Sequence, residues 1–256
     1  MKHVVMFSGG VGSWAAAKRV ANDHGTGDLV LLFGDTLIED EDLYRFLREA
    51  ADNVGGQLVW IAEGRTPWEV FRDERFIGNS MADPCSKILK RNFLRRWLEE
   101  HCDPAETTVY LGIDWSEIHR LERAADRWAP WKVEAPLCDP PLTSKEELLS
   151  LASNEGLRPP RLYELGFPHN NCGGFCVKAG QGHFKRLLEV LPDRYRMHEG
   201  KEEELRAYLG RDVSILKDRR GGRTSPMSMR EFRKRVQVEP SSIDEFEWGG
   251  CGCAVD

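Results

Sequence analysis

Two groups of residues in this sequence have the types and spacing to do chemistry. The first is Ser8-Gly9-Gly10-Val11-Gly12-Ser13, set between the apolar run Val4-Val5-Met6-Phe7 and a helical pattern from Trp14 to Asn22. Glycines let a backbone approach an anion closely, and a helix start offers unpaired N–H groups and the positive end of its dipole. Ser8 and Ser13 add hydroxyl donors. No lysine follows in a Gly-Lys-Ser/Thr ending, so the run is not a Walker A loop. The second group is cysteine. There are seven, at positions 85, 102, 138, 172, 176, 251 and 253, and four of them crowd into Cys172-Gly-Gly-Phe-Cys176 and Cys251-Gly-Cys253. Two cysteines with glycines between them can turn toward one centre, which suits zinc or iron–sulfur ligation. Cys85 opens a helical stretch beside Lys87, where the helix dipole and a cation stabilise a thiolate. Lys90, one turn on, can reach an anionic substrate. Cys102 and Cys138 read as structural.

These groups need a scaffold, and the first half of the chain supplies one. Leu29–Phe33, Leu58–Ile61 and Val109–Leu111 repeat the continuous apolar character of the first run, and Lys132–Leu137 reads as a shorter fifth strand. Helical patterns over Glu41–Val54, Lys87–His101 and Ser116–Arg127 separate them. Apolar strands alternating with helices predict an α/β fold: a five-stranded, mostly parallel sheet with helices on both faces. Ligands on such sheets bind beyond the carboxyl ends of the strands. After Asp139-Pro140-Pro141 the pattern turns helical, over Ser144–Asn154, Lys178–Leu191 and Glu202–Tyr208. We therefore expect an α/β domain over residues 1–138 and a helical, cysteine-containing extension over 139–256. Its weak apolar faces suggest that the extension packs on the core.

Composition sets outer limits. The chain has 256 residues, 30% charged and 41% hydrophobic, which is ordinary for a globular protein. No apolar run approaches the roughly 20 residues of a membrane span, so no membrane partner is expected. Met1-Lys2-His3 leads straight into a strand and not into a secretory leader, and an odd cysteine count fits a reducing compartment; a cytoplasmic setting follows. The net charge of −6 excludes binding nucleic acid with the whole surface. One basic stretch, Lys217–Arg235, could still follow a nucleic-acid backbone.

Ser-Gly-Gly-x-x-Ser after an N-terminal strand resembles the PP-loop of the adenine nucleotide α-hydrolase superfamily, which includes ATP pyrophosphatases and phosphoadenosine phosphosulfate (PAPS) reductases. Phe33-Gly-Asp35-Thr36-Leu-Ile-Glu39 is similar to the Asp-Thr-x-x-Glu stretch after strand two in the PAPS reductase branch. The resemblance implies that Ser8, Gly9, Gly10, Gly12 and Ser13 cradle a phosphate or sulfate, with Asp35 and Thr36 beside them. ATP pyrophosphatases usually carry Asp at the fifth loop position, near magnesium on the pyrophosphate; Gly12 stands there in this chain. Asp35 is then the candidate carboxylate for Mg2+. Asp83-Pro-Cys85-Ser86-Lys87-Ile-Leu-Lys90 resembles the Cys-Cys-x-x-Arg-Lys stretch of iron–sulfur adenylylsulfate reductases, with Ser86 in place of the second Cys. Leu111-Gly112-Ile-Asp114 through Glu117, His119 and Arg120 is similar to the Gly-x-Arg-x-x-(Glu/Gln)-Ser-x-x-Arg region of PAPS reductases, with Asp114 in place of the first Arg.

By this resemblance the chain is expected to be an enzyme that binds ATP or a related adenine nucleotide through those loop residues, Thr36 and Gly112. It would carry out sulfur transfer or nucleotide-dependent activation, such as thiolation of a nucleic-acid base. Cys85, Cys172, Cys176 and Cys251 would hold an iron–sulfur cluster of the 4Fe-4S type, with zinc as the alternative, and Asp35, Lys90 and Cys253 would be catalytic. Candidate partners are a nucleic acid along Lys217–Arg235, a thiol or sulfur-donor protein, and a second copy of the chain. Two other readings stay open: a true PAPS or adenylylsulfate reductase, and a non-catalytic nucleotide- or nucleic-acid-binding protein with structural zinc.

Overall fold

A computed structural model describes residues 1–250. Its centre is a five-stranded sheet in the order β3-β2-β1-β4-β5, formed by β1 (Lys2–Met6), β2 (Leu29–Asp35), β3 (Gln57–Ala62), β4 (Thr107–Tyr110) and β5 (Lys132–Glu134). Every pairing is parallel, with Val4 opposite Val30 on one side and Val109 on the other. All seven residues of β2 and all four of β4 are buried, as strands covered on both faces must be.

Two apolar layers cover the sheet. On one face α1 (Val11–His24) and α2 (Glu41–Val54) place Trp14, Ala16, Phe46 and Leu47 against Val5, Leu31 and Phe33. On the other, Leu94, Leu98, Ala124 and Trp128 pack on Val4, Leu32 and Val109. Asp40 caps α2 by accepting from the Asp42 N–H, and Gly55 ends it in the left-handed conformation at φ 84°.

Between β3 and β4 lie α3 (Pro67–Asp73), a short α4 (Pro84–Ser86), a π-helical turn (Lys87–Asn92) and α5 (Phe93–His101). The single helix expected over Lys87–His101 thus starts wide-wound. A π turn carries an i→i+5 ladder and often marks a functional position; here it carries Lys90. The expected helix over Ser116–Arg127 is a 3₁₀ turn (Trp115–Arg120) followed by α6 (Leu121–Trp128). The fifth strand stops at Glu134, because Pro136 opens a 3₁₀ turn through Cys138.

The remainder comprises α7 (Lys145–Asn154), α8 (Arg161–Glu164), α9 (Gln181–Val190), α10 (Pro192–Leu209), an antiparallel hairpin β6 (Leu216–Asp218) and β7 (Ser225–Met227), and α11 (Met229–Val238). It buries more apolar surface than its sequence suggested. Phe175, Phe184, Tyr195 and Phe232 form a cluster that takes in Trp68, Phe71 and Ile77 from the first half. The apolar residues come from many short elements, so no single helix displays a strong face. Among the described residues no helix is long and apolar enough to cross a membrane.

Candidate functional site

The Ser8–Ser13 loop joins β1 to α1 at the carboxyl edge of the sheet, next to β4. Its shape is held from within. Ser13 Oγ donates to the Gly10 carbonyl at 2.9 Å and accepts from the Ser8 N–H at 3.2 Å. Gly9 has φ +77°, and a Cβ there would lie 2.8 Å from Leu43 Cγ, so only glycine suits that position. A Cβ on Gly112 would lie 3.0 Å from the Ser13 N, so the end of β4 comes close to the first turn of α1 because it carries no side chain.

A pocket opens above this loop. Ser8, Gly10, Gly12, Ser13 and Gly112 border it, and so do Lys90, Asp114, Glu117 and Arg120. Its far wall comes from the extension: Lys145, Tyr163, His169 and Asn170. The anticipated loop residues therefore line one cavity, except Gly9, and Thr36, expected to bind the same nucleotide, does not border it. Burial lowers the pKa of Lys145, whose ammonium lies 5.5 Å from the Tyr163 ring centroid. Backbone N–H groups and the cations Lys90, Arg120 and Lys145 suit an anionic ligand.

Asp35 does not reach this pocket. Its carboxylate is 5% exposed and accepts from the Leu37 N–H at 2.8 Å, the Tyr44 hydroxyl at 2.9 Å and Trp60 Nε1 at 3.1 Å. It thus organises the turn after β2, and the expectation that it faces magnesium is not met by this geometry. The carboxylates that do border the pocket are Asp114 and Glu117. Asp114 accepts from the Ser116 N–H at 2.9 Å, and Glu117 pairs with Arg120. His119 is exposed and lies outside the lining.

A second, smaller pocket adjoins the first. Thr36, Ile38, Cys85, Cys172, Cys176 and Lys90 are among the residues that border it. Cysteines 85, 172 and 176, far apart in sequence, are thus brought to one cavity. Cys172, Gly173 and Gly174 all have positive φ, at 52°, 59° and 80°. A Cβ on Gly173 would lie 2.7 Å from the Ile38 carbonyl. Arg194 clamps this turn, donating to the Gly173 carbonyl at 2.6 Å and to buried Asp40 at 2.7 Å. Among the described residues no three His, Cys, Asp or Glu side chains surround a common metal position. Cys251 and Cys253, the expected fourth ligand and reactive thiol, lie outside the described residues. The segment leading to them runs beside this region: the Gly180 N–H donates to the Trp248 carbonyl at 3.0 Å, and Ala179 bridges Gly249.

One buried carboxylate joins the two pockets. Glu39 Oε1 accepts from Lys90 Nζ at 3.2 Å and from Thr36 Oγ1 at 2.9 Å, while Oε2 accepts from the Cys172 N–H. Lys90 itself borders both cavities.

The basic stretch is largely neutralised at home. Arg219 pairs with Glu247, Arg220 and Arg235 with Asp218, and Arg230 and Arg233 with Glu199. Sequence reading missed Lys145, Tyr163, His169 and Asn170 as pocket residues. Lys145 stands at the start of the expected helix, and the other three follow the Pro159-Pro160 break; only packing brings all four to the loop.

No family model matches the chain, and no curated protein does. Among solved structures it is similar to one described as a predicted subunit of tRNA methyltransferase from Methanocaldococcus jannaschii. That match has 14% identity and a TM-score of 0.39, and covers 76% of this chain and 88% of the other.

Proposed function

We propose that this protein is an enzyme of the PP-loop type that binds ATP or a related adenine nucleotide in the larger pocket. It uses the nucleotide to activate an acceptor for sulfur transfer, with an iron–sulfur cluster at the smaller one. The observation that carries the reading is the shared wall: Lys90 borders both the glycine-loop cavity and the cavity of Cys85, Cys172 and Cys176. A cation placed there serves an anion on one side and a thiolate centre on the other.

The phosphates would lie on the N–H groups of the Gly10–Ser13 turn, with Lys90, Arg120 and Lys145 balancing their charge. Were Mg2+ to accompany them, Asp114 and Glu117 are the carboxylates at hand. An acceptor oxygen, such as that of a nucleic-acid base, attacks the α-phosphorus and releases pyrophosphate. A sulfur nucleophile then attacks the activated carbon and AMP leaves with the oxygen. A sulfur-donor protein brings that sulfur as the outer atom of a persulfide; after AMP leaves, a thiolate such as that of Cys253 attacks the donor's inner sulfur, which frees the thiolated product and leaves a disulfide for an external thiol to reduce.

The donors are of the type a soft metal takes, since three thiols border one small, largely apolar pocket, although no three described side chains surround a common metal position in this structure. Cys85, Cys172 and Cys176 would be ligands and Cys251 the fourth. A cluster so held supplies sulfur-binding iron, and the choice between iron and zinc follows from metal analysis. The experiment is anaerobic purification with iron, sulfide and zinc measured, then assay of ATP turnover. Bound iron and sulfide, with AMP and pyrophosphate from ATP, support the reading. Metal-free protein that binds no nucleotide overturns it, and sulfite release from PAPS with a thiol donor would make the chain a reductase.

A further inference from the structure

Two polar groups of the extension line the larger pocket with hydrogen-bonding capacity that no described residue fills: the Tyr163 hydroxyl proton and Asn170 Oδ1. Tyr163 Oη accepts from the Val11 N–H at 3.4 Å. It also lies 3.0 Å from where a Gly10 Cβ would stand, directly over the glycine loop. Tyr163 is half-buried, and no described acceptor takes its hydroxyl proton, which leaves that proton available to a ligand in the pocket. Burial also pushes its pKa up to about 12, so the hydroxyl keeps its proton. Asn170, 2% exposed, donates through Nδ2 to the Gly9 carbonyl at 3.0 Å, while its Oδ1 is buried with no partner.

The two groups are complementary. Tyr163 offers a proton over the glycine loop, and Asn170 offers an acceptor in the same pocket lining. A simple anion satisfies only the first. A nucleotide carries both an anionic phosphate and hydroxyl or amino donors, and would satisfy both. Leaving Asn170 Oδ1 buried and unpaired costs free energy, which a ligand donor reaching it would recover.

We propose that Tyr163 is a phosphate ligand of the nucleotide site: its hydroxyl, oriented by the Val11 N–H, donates to a phosphate oxygen seated on the Gly10–Ser13 turn. The extension is thereby part of the binding site. This inference rests on the adenine-nucleotide reading above. It adds a residue that no loop motif contains and a selectivity for phosphorylated over unphosphorylated ligands.

Tyr163→Phe tests it, because the ring beneath Lys145 and against the sheet's apolar layer is retained. Binding of ATP, inorganic pyrophosphate and adenosine is measured by calorimetry on the full chain, with thermal unfolding as the folding control. The expected result is a loss of about tenfold or more for ATP and pyrophosphate, the scale of a hydrogen bond to a charged group, with adenosine binding and Tm unchanged. Unaltered ATP affinity, or an equal loss for adenosine, overturns the phosphate role. Wild-type protein that binds none of the three overturns the nucleotide reading and this inference with it.

Discussion

Lys90 Nζ lies 3.2 Å from Glu39 Oε1, and the two side chains are only 6% and 0% exposed. A buried ion pair of this kind forms one wall of both cavities. Glu39 also receives the Cys172 N–H, so the cysteine turn and the anion pocket share one carboxylate. Removing Lys90 leaves that carboxylate buried without its cation. Lys90→Met should cost about 3–5 kcal/mol, as loss of one partner of a buried pair does. It should also weaken nucleotide binding. Denaturant titration and calorimetry check both; full stability in Lys90→Met would contradict the pairing.

The turn that presents Cys172 depends on Gly173. Its φ of 59° and the Ile38 carbonyl, 2.7 Å from any Cβ, leave no room for a side chain. Gly173→Ala should destabilise the protein by about 1–3 kcal/mol and lower its metal content. By contrast, nothing lies within 4 Å of a Cβ on Gly200, in α10, and Gly200→Ala should stabilise by about 0.5–1 kcal/mol. Equal thermal shifts for the two variants would count against the strained turn.

Cys85, Cys172 and Cys176 should behave as a set. Changing any one to Ser should remove most bound iron or zinc from anaerobically purified protein, whereas Cys102→Ser should leave it in place. Cys102 packs away from the pocket beneath the sheet, and burial raises its thiol pKa. Metal analysis of the four variants gives the answer, and retention of metal in Cys172→Ser would remove that residue from the ligand set.

Stability should carry a pH signature from Glu202. Burial pushes its carboxyl up to about 7, although the N–H groups of Ile215 and Met229 point at it. The folded state therefore keeps a proton that the unfolded chain, at its ordinary 4.5, releases. The contribution of this group is full below pH 4.5 and is lost as pH rises through about 7. Comparing Glu202→Gln with the parent by urea unfolding at several pH values isolates it: the difference between the two should change across that window and level off above it. A difference that stays constant would mean that Glu202 does not titrate there.

If a nucleic acid binds along Lys217–Arg235, the cations not held in described ion pairs should dominate. Arg223 and Lys234 meet that condition, whereas Arg235 is paired with Asp218 at 2.8 Å. Arg223→Glu with Lys234→Glu should reduce RNA affinity and lower the salt slope by roughly one unit per lost phosphate contact. An unchanged slope would remove this surface from consideration.

The sheet and its glycine loop were legible in the sequence because their signals are local. Short continuous apolar runs such as Leu29–Phe33, too short for helices and alternating with helical patterns, read as strands covered on both faces, and Ser8–Ser13 follows the first of them directly. The resemblance of Asp83–Lys90 to a reductase stretch points to Lys90, and spacing groups Cys172 with Cys176. What tertiary structure decided is where side chains point and which distant segments meet. Asp35 stands at the strand end as anticipated, yet Tyr44, Trp60 and the Leu37 N–H turn its carboxylate away from the pocket. Cys85 reaches Cys172 and Cys176 only because α4 and the turn after Asn171 border one cavity. Tyr163 and Asn170 carry no motif at all. They belong to the site because the apolar layers of the sheet and the extension pack together, and such long-range packing leaves no periodic trace in the chain that forms it.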